Sequence, residues 1–460
     1  MEKRPRIVIA ANQGRSGKTT ITLGLLKALK NRGLKVQPFK KGPDYIDPSW
    51  HSFASGIQSR NLDAFMMTKN DITNTFVNSS NNMDISIIEG AMGLFDGLDV
   101  EGSGSTAEIA YMIDAPIILV VNCQRMTRSV AALVNGVVNF DPRIKIAGVI
   151  LNNVARKRHE NILKQSIEKY CNVPVLGIVP KSKDIVIPDR HLGLIPAGEK
   201  EELLEKVDKL GKLIEENIDL DKLIEISQNT TSLESIKDAV DMNRLAKVKI
   251  GVIKDKVFSF YYPENLEALE EKGAELVIIN SLNDAKLPEI DGLYIGGGFP
   301  EVFAEQLERN EGLKTDIKNA IQLGMPVYAE CGGLMYLGQK LFVDDNSYEM
   351  VGALPYDVKM EKKPQGHGYT INKSLKDNPF TTEDTIVKGH EFHNSRLINL
   401  EEEKVKFAFE VQRGKGIINS KDGILFNNCL VTYMHTHAAS TPEWADGLLH
   451  KVLEFKNNNN

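Results

Sequence analysis

Short apolar runs alternate with helical patterns along this 460-residue chain, and this alternation constrains the fold more than any other feature. In the first half, the runs are apolar at successive positions, which is typical of strands covered on both faces. A parallel sheet covered by helices is therefore predicted there. The predicted strands are 6–11, 35–39, 85–89, 117–122, 146–152 and 174–180.

A second alternating series begins near residue 248 and predicts a second α/β domain. Its strands are predicted at 248–253, 274–279, 292–295 and 326–330, and a region richer in β and turn signals follows at 349–423. Between the two series, residues 199–226 are charged, with Leu and Ile at the spacing of a surface helix, and the polar segment QNTTSLES follows. The predicted domains are 1–228 and 247–456, joined by a linker at 229–246.

Apolar residues at helical spacing predict several further helices. The clearest are 20–32, 264–273, 313–323 and 444–455. The last of these precedes an Asn-rich tail, which is predicted to be disordered.

The composition limits the classes of partner. A formal net charge of −6, from 56 basic and 62 acidic residues, argues against a nucleic-acid-binding surface as the main feature. The four cysteines are widely spaced, which argues against a disulfide scaffold or a zinc site and fits a reducing compartment. No apolar run approaches the roughly 20 residues that span a bilayer, and no signal peptide is recognisable. A soluble, cytoplasmic protein without a membrane partner is predicted.

Residues 7–20 read IVIAANQGRSGKTT, a buried strand that enters a glycine loop and then a helix. Such a loop directs backbone N–H groups and a helix N-terminus at phosphate oxygens, so an ATP site is predicted. Lys18 is expected to reach the terminal phosphates, and the Thr19 hydroxyl is expected to ligate Mg²⁺. Gly14 falls where the shorter loop of the dethiobiotin synthetase and partitioning ATPase group carries a glycine. The predicted ATP-binding residues are Gly14, Gly17, Lys18, Thr19, Thr20 and Lys40.

Two further polar segments follow predicted strands of the same sheet. FKKGPDYIDP delivers Lys40, Asp44 and Asp47 to one connection, and SIIEGAMGLFDG ends its strand at Glu89. Ligands bind at the carboxyl ends of parallel strands, so these side chains are expected beside the ATP site. Carboxylates and hydroxyls are suitable Mg²⁺ ligands, and the predicted metal residues are Thr19, Asp47 and Glu89.

A predicted strand–turn–helix holds a cysteine in the second domain. In MPVYAECGGLMYLGQKL, an apolar strand stops at Cys331 and two glycines permit a tight turn, the arrangement of a nucleophile elbow. The helix N-terminus is expected to lower the pKa of the thiol. His435, about a hundred residues later in LVTYMHTHAAS, is the predicted base. The backbone N–H groups of Gly332 and of Gly297, in YIGGGFPE, are the predicted oxyanion donors.

With both sites in view, nearly the whole chain resembles the cobyrinate a,c-diamide synthase family. The blocks that carry the resemblance are GPDYIDPSWHS, SRNLD, EGAMGLFDG, RHLGLIPA, GGGFPE, ECGGLMYL and GHEFHNS, together with the phosphate loop and YMHTHAAS. The resemblance implies a P-loop NTPase domain like that of dethiobiotin synthetase, followed by a class I glutamine amidotransferase-like α/β domain.

The resemblance also implies a reaction. ATP converts a carboxylate of a corrin-like tetrapyrrole into an acyl phosphate, L-glutamine supplies ammonia through Cys331 and His435, and the a and c acetates become amides. Asp44, Tyr45 and Asp47 are expected near ATP and the reacting carboxylate. His390 and His393, with Arg396, are predicted to form a polar patch for the acid groups of the substrate.

Several alternatives stay open from the sequence. Nickel-sirohydrochlorin is the rival macrocycle, and a P-loop ATPase switch with an inactive amidotransferase domain is the rival class. Many triad amidotransferases have His-x-Glu, whereas this chain has His435-Thr436-His437, so the acid of the triad is unassigned. A homodimer is an open alternative for the assembly.

Overall fold

The computed structural model describes residues 3–181, 197–234 and 247–459. The chain divides into two compact units, Met1–Asp238 and Ala239–Asn460. The limits given above for the two domains and the linker stay predictions. The motif RHLGLIPA lies outside the described residues except for its last alanine, and so does most of the predicted linker.

The first unit is built on a seven-stranded sheet. The strands are β1 (Arg6–Ala11), β2 (Val36–Lys41), β3 (Arg60–Leu62), β4 (Ile85–Glu89), β5 (Ile117–Asn122), β6 (Ile146–Val154) and β7 (Val175–Pro180). They lie in the order β3-β2-β4-β1-β5-β6-β7, and each neighbouring pair is parallel. The prediction of a parallel sheet is confirmed, and the strands β1, β2 and β4 are buried along their whole length.

Eight helices accompany this sheet among the described residues. They are α1 (Lys18–Asn31), α2 (Ile46–Ser55), α3 (Lys69–Ser79), α4 (Thr106–Met112), α5 (Ser129–Phe140), α6 (Lys157–Tyr170), α7 (Ala197–Asn217) and α8 (Leu220–Gln228). α7 covers the same core as α1, because its apolar stripe of Leu203, Val207, Leu210 and Ile214 is buried. The segment predicted as a surface helix is therefore two helices, of which the first closes the core.

Two element boundaries differ from the prediction in a way that matters for the site. β2 continues to Lys41, two residues beyond its predicted end, so Lys40 lies on a strand and is buried. α1 begins at Lys18 rather than at Thr20, because Gly17 ends the loop in the left-handed region at φ 93° and serves as the N-cap.

The second unit contains sixteen strands among the described residues. They are β8 (Val248–Ile253), β9 (Phe258–Phe260), β10 (Ala274–Ile279), β11 (Gly292–Ile295), β12 (Gly297–Gly298), β13 (Val327–Glu330), β14 (Lys340–Val343), β15 (Asn346–Glu349), β16 (Asp357–Met360), β17 (Gly366–Ser374), β18 (Ile386–His393), β19 (Ser395–Ile398), β20 (Lys406–Arg413), β21 (Lys421–Phe426), β22 (Cys429–Thr432) and β23 (His435–Thr436).

A ten-stranded mixed sheet forms the body of this unit, in the order β10-β8-β11-β13-β22-β21-β20-β17-β18-β23. Its first five strands are mutually parallel, and the remaining pairs are antiparallel. The helices are α9 (Pro263–Glu271), α10 (Ala304–Arg309), α11 (Glu311–Gln322), α12 (Gly332–Leu337) and α13 (Glu443–Asn459). The prediction of a second α/β domain is confirmed.

The C-terminal helix corrects one prediction. α13 continues through Asn459, so the Asn-rich tail is not disordered up to that residue. Its last turns are tied to the body of the unit by Lys456, whose Nζ donates to the Lys247 carbonyl at 3.0 Å and to Asp291 at 2.9 Å. None of the helices in the described residues is long and apolar enough to cross a membrane.

Candidate active sites

The phosphate-loop sequence forms a tight turn that requires glycine at one position. A Cβ atom on Gly17 would lie 2.2 Å from Asn152 Nδ2, and the residue has φ 93°. The Asn152 amide donates to the Ser16 carbonyl at 3.0 Å and so holds the loop against the end of β6. A Cβ atom on Gly14 would meet no atom of the described residues within 4 Å, so packing does not require glycine there. Asn152 was not identified from the sequence.

Lys18 and Thr19 start α1 beside the end of β4. Lys18 is buried, its Nζ donates to the Met92 carbonyl at 2.5 Å, and burial lowers the pKa of its ammonium group although Glu89 opposes that shift. The Thr19 hydroxyl donates to Glu89 Oε1 at 2.6 Å. Thr20 follows on the same turn and is half-buried.

Glu89 is the centre of a buried charged cluster. It is fully buried at the end of β4, and its Oε1 accepts from Lys40 Nζ at 3.0 Å while its Oε2 lies 2.6 Å from His51 Nε2. Burial alone would raise the pKa of Glu89, but Lys40 and His51 hold that pKa well below its usual range. Burial would likewise lower the pKa of Lys40, and the surrounding carboxylates raise it instead. His51 belongs to the motif GPDYIDPSWHS, but its contact with Glu89 was not predicted.

Asp47 joins the cluster through Lys40, whose Nζ donates to Asp47 Oδ2. Burial, followed by repulsion from Glu89, raises the pKa of Asp47 to about 6. Asp44 has a different role: its Oδ1 accepts from the backbone N–H groups of Ile46 at 2.8 Å and Asp47 at 3.2 Å, which begins α2. Its other oxygen lies 3.8 Å from Lys40 Nζ, and Tyr45 is the half-buried residue that precedes the helix.

The oxygen atoms of Glu89, Asp47 and Thr19 are suitable ligands for a Mg²⁺ ion that also binds phosphate oxygens of the nucleotide. Glu89 and Asp47 present carboxylate oxygens to the Lys40 ammonium, and the Thr19 hydroxyl bonds Glu89. Mg²⁺ usually takes one or two carboxylates together with phosphate oxygens. No group of three or more His, Cys, Asp or Glu side chains arranged to hold a metal is found in the described residues. The residues are therefore suited to a nucleotide-bound ion rather than to one held by protein alone.

The cysteine elbow of the second unit has the predicted geometry. Cys331 lies between β13 and α12 with φ 46° and ψ −96°, a left-handed conformation that is strained for a residue with a side chain. Its thiol is buried, and burial followed by the charge of Glu301 raises the pKa well above its ordinary value. The expectation of a lowered thiol pKa is therefore wrong, because desolvation outweighs the opposing backbone hydrogen bond from Gly332.

Two predicted oxyanion donors lie beside this elbow. A Cβ atom on Gly332 would lie 2.8 Å from the Gly298 nitrogen and 3.3 Å from the Gly297 carbonyl carbon. A Cβ atom on Gly297 would lie 2.4 Å from His435 Cε1. The glycine loop at β12, the elbow and His435 thus converge within van der Waals distance, and only glycine permits this approach.

His435 is buried on β23 and contacts an acid that was not predicted. Its Nδ1 lies 3.3 Å from Glu330 Oε2, and Glu330 is the residue immediately before Cys331. His437 lies in different surroundings: its Nε2 is 3.5 Å from Glu264 Oε2, and its ring packs on Tyr262 at 4.6 Å. The sequence signal for Glu330 was its position at the end of the strand that carries the nucleophile.

His390 and His393 are buried within the second unit. His390 pairs with His435 across β18 and β23, and the two rings stack at 4.9 Å. Burial and the two neighbouring histidines lower the pKa of His390 well below its usual value. His393 is buried against the Tyr433 ring at 3.6 Å. Arg396 is on the surface and bonds Glu361, so the motif does not bring these three residues together.

Comparison with known proteins agrees with the nature of both domains. Residues 7–195 match the family model of the CobQ/CobB/MinD/ParA nucleotide binding domain, and residues 249–443 match the model of the CobB/CobQ-like glutamine amidotransferase domain. Fold and sites thus define a two-domain, ATP-using amidating ligase that hydrolyses glutamine.

The relatives identify the family. Proteins named cobyrinate a,c-diamide synthase from Magnetococcus marinus and from Archaeoglobus fulgidus are each 46% identical to this chain, over 96% and 98% of both partners. One from Listeria monocytogenes is 43% identical over 94% of this chain and 96% of its own length. The chain belongs to the cobyrinate a,c-diamide synthase family.

Proposed function

We propose that this enzyme converts the a- and c-acetate carboxylates of cobyrinate into carboxamides, in two turnovers that each consume ATP and glutamine. The observation that carries the proposal is the alignment of nearly the whole chain with relatives of that name, at 46% identity. Its small-molecule partners are the macrocycle, L-glutamine and ATP. The four cysteines are free thiols, which supports a reducing compartment such as the cytoplasm.

The first unit activates the carboxylate. The loop from Gly14 to Gly17 and the first turn of α1, with Lys18 and Thr20, bind the phosphates of ATP by backbone N–H groups and one ammonium. Thr19, Asp47 and Glu89 would hold Mg²⁺, and the ion would supply positive charge that neutralises the phosphates during transfer to the substrate carboxylate. When the nucleotide binds, Lys40 can exchange a carboxylate contact for a phosphate oxygen, because it already lies between Asp47 and Glu89. Asp44 and Tyr45 lie next to these groups and contact the substrate.

The second unit releases ammonia. The Cys331 sulfur attacks the carboxamide carbon of glutamine, His435 takes the thiol proton, and the same proton passes to the departing ammonia. Water then hydrolyses the thioester to glutamate. The N–H groups of Gly332 and Gly297 stabilise the negative oxygen of the tetrahedral intermediates. Because the thiol pKa is raised, the thiol is protonated at rest, and proton removal must accompany the attack.

Product mass tests the proposal directly. The purified enzyme is incubated with ATP, Mg²⁺, glutamine and cobyrinate, and two successive acid-to-amide mass changes are expected. A parallel incubation contains nickel-sirohydrochlorin, and amidation of that macrocycle alone would replace the proposed substrate. Hydrolysis of ATP without a mass change in either macrocycle would contradict the ligase and favour the ATPase switch.

A variant separates the two half-reactions. Cys331→Ala should lower glutamine-dependent amidation at least about 10³-fold, since the nucleophile is removed, and should retain amidation from added ammonium. The matched control is Cys429→Ala, because Cys429 is also a buried thiol at the start of a neighbouring strand. If Cys331→Ala retains wild-type use of glutamine, the assigned nucleophile is wrong.

A further inference from the structure

Glu330 occupies a position in the amidotransferase site that the sequence pattern does not assign. It is the last residue of β13 and is 1% exposed. Its Oε2 lies 3.3 Å from His435 Nδ1, and its Oε1 accepts the backbone N–H of Thr436 at 3.2 Å. We propose that Glu330 is the acidic positioning residue of His435, which completes a Cys331–His435–Glu330 triad. The inference rests on the roles proposed above for Cys331 and His435.

The sheet register explains how the residue before the nucleophile reaches the histidine. β13 and β22 run parallel, with Glu330 paired to Thr432, and the chain then continues from β22 to His435. Successive strand residues project to opposite faces of a sheet. The left-handed backbone of Cys331 breaks that alternation immediately after Glu330, so adjacent residues can serve one imidazole.

Phenol hydroxyls stabilise the carboxylate of Glu330. The Tyr328 hydroxyl donates to Oε1 at 2.9 Å, and the Tyr294 hydroxyl is 3.5 Å from Oε2. Burial and the charge of Glu330 raise the pKa of both phenols well above the ordinary value, so both stay protonated and donate. His435 Nδ1–H is a further donor that the geometry provides.

Two of the neighbouring acids, Glu264 and Glu391, are engaged elsewhere. The position two residues after His435, where many triads carry glutamate, holds His437. Glu264 contacts that histidine. Glu391 accepts the backbone N–H groups of Lys415 and of Gly416. The acid of the triad is therefore displaced from the histidine strand to the nucleophile strand.

The mechanistic consequence concerns the tautomer of His435. When a carboxylate accepts the proton on Nδ1, the lone pair is on Nε2, and Nε2 can then take the Cys331 proton. In Glu330→Gln, the amide oxygen can still accept from Thr436 and Tyr328, but the amide N–H₂ faces Nδ1. This arrangement favours a proton on Nε2, the tautomer that cannot act as the base.

Glu330→Gln is the test. We expect glutamine turnover to fall about 10²–10⁴-fold, as when the acid of a catalytic triad becomes an amide, with ammonium-dependent amidation within about twofold of wild type. Glu330→Asp, which keeps the carboxylate, should recover part of the loss. Two-bond ¹H–¹⁵N spectra should show His435 protonated on Nδ1 in the wild type and on Nε2 in Glu330→Gln.

The control variant is Asp422→Asn. Asp422 is another buried carboxylate, and it accepts from the N–H of Gly423 at 2.7 Å and from the hydroxyl of Thr432 at 2.9 Å. Its glutamine turnover should stay within about threefold of wild type, because the asparagine oxygen can still accept from Gly423 while its N–H₂ group donates to the Thr432 hydroxyl oxygen.

Two results would overturn the inference. One is a Glu330→Gln enzyme with wild-type glutamine turnover. The other is an equal loss of glutamine- and ammonium-dependent amidation with an unchanged His435 tautomer, because that pattern identifies a structural role. Failure of the proposed nucleophile is distinguishable, since it would appear as glutamine turnover in Cys331→Ala.

Discussion

The two sites of this enzyme are built on opposite electrostatic principles. In the first unit, Lys18, Lys40, Asp47 and Glu89 are buried or nearly buried and contact one another or a backbone carbonyl. In the second unit, the buried carboxylate of Glu330 is met by the hydroxyls of Tyr328 and Tyr294 and by the imidazole of His435. Full charges are expensive to bury without partners, so the first site depends on pairing and the second on exclusion of charge.

The difference reflects what each site must bind. ATP brings several negative charges, and Lys18 can exchange the Met92 carbonyl for a phosphate oxygen with little change in position. Glutamine brings a neutral carboxamide, and the charge that develops on its oxygen is met by backbone N–H groups. On the proposed roles, the first site exchanges contacts when ligands bind, whereas the backbone fixes the second in advance.

Both sites contain residues with side chains in the left-handed region of backbone conformation. The conformation of Cys331 costs on the order of 1–3 kcal/mol, which the packed surroundings of the elbow must offset. In the first site, Arg15 of the phosphate loop has φ 57° and Met92, whose carbonyl accepts from Lys18, has φ 54°. Gly17, by contrast, adopts its left-handed conformation without this cost. Backbone strain therefore does not distinguish the two sites.

The largest expected effect is a loss of amidation with either nitrogen source, which distinguishes damage to the first site from damage to the second. Lys18→Ala should lower both glutamine- and ammonium-dependent amidation by about 10³-fold, because it removes a buried cation aimed at transferring phosphate charge. Product formation at saturating ATP measures it. The control is Lys27→Ala on the same helix, where Lys27 pairs with Asp208. Retained ammonium-dependent activity in Lys18→Ala would contradict the assignment of carboxylate activation to the first unit.

The second effect concerns stability and tests the pairing principle. Glu89→Gln leaves Lys40 and His51 without their shared carboxylate in a fully buried place. Removal of one partner of a buried ion pair should lower the free energy of unfolding of this unit by about 3–5 kcal/mol. Thermal unfolding measures the loss.

The control for that variant lies on the surface. Glu215→Gln removes one of two carboxylate partners of Arg32, where the side chains are substantially exposed, and should cost at most about 1 kcal/mol. Equal losses in the two variants would mean that the buried cluster does not depend on its pairing.

The sequence predicted the parts of both sites that are local. The phosphate loop, the elbow and the bounds of β1, β4 and β8 follow from apolar runs and glycines that are neighbours in the chain. Three contacts were missed: His51 with Glu89, Glu330 with His435 and Asn152 with Ser16, which join residues 38, 105 and 136 positions apart. Such contacts depend on strand order and register, which no local pattern specifies.

Two further features were not predictable locally because burial is a property of the whole fold. The polar spacing of GHEFHNS predicted a polar patch for the substrate, which stays a prediction, but it gave no sign that β18 is an inner strand of the sheet and buries His390 and His393. The elbow correctly predicted a helix N-terminus at Cys331, but desolvation determines the direction of its thiol pKa. Charge and exposure must therefore be taken from the packed structure.

The smallest expected effect is an increase in the free energy of unfolding, opposite in sign to the decrease expected for Glu89→Gln. Burial raises the pKa of Glu301, in the glycine loop beside the elbow, to about 7. The folded state therefore binds this proton more tightly than the unfolded state does, and stability falls as pH rises from about 4.5 through 7. Glu301→Gln removes the cost of ionisation, so the variant should be more stable than wild type at pH 8 by about 1–2 kcal/mol and equally stable near pH 4.

Denaturant unfolding at the two pH values measures this difference. Glu305→Gln is the matched control on α10, because Glu305 is exposed and pairs with Arg309, and its effect should stay below about 0.5 kcal/mol at either pH. A stabilisation in Glu301→Gln that grows with pH would show that the second site tolerates its carboxylate only at a cost. A destabilisation at pH 8 would instead place Glu301 among paired charges, as in the first site, and the contrast between the two units would fail.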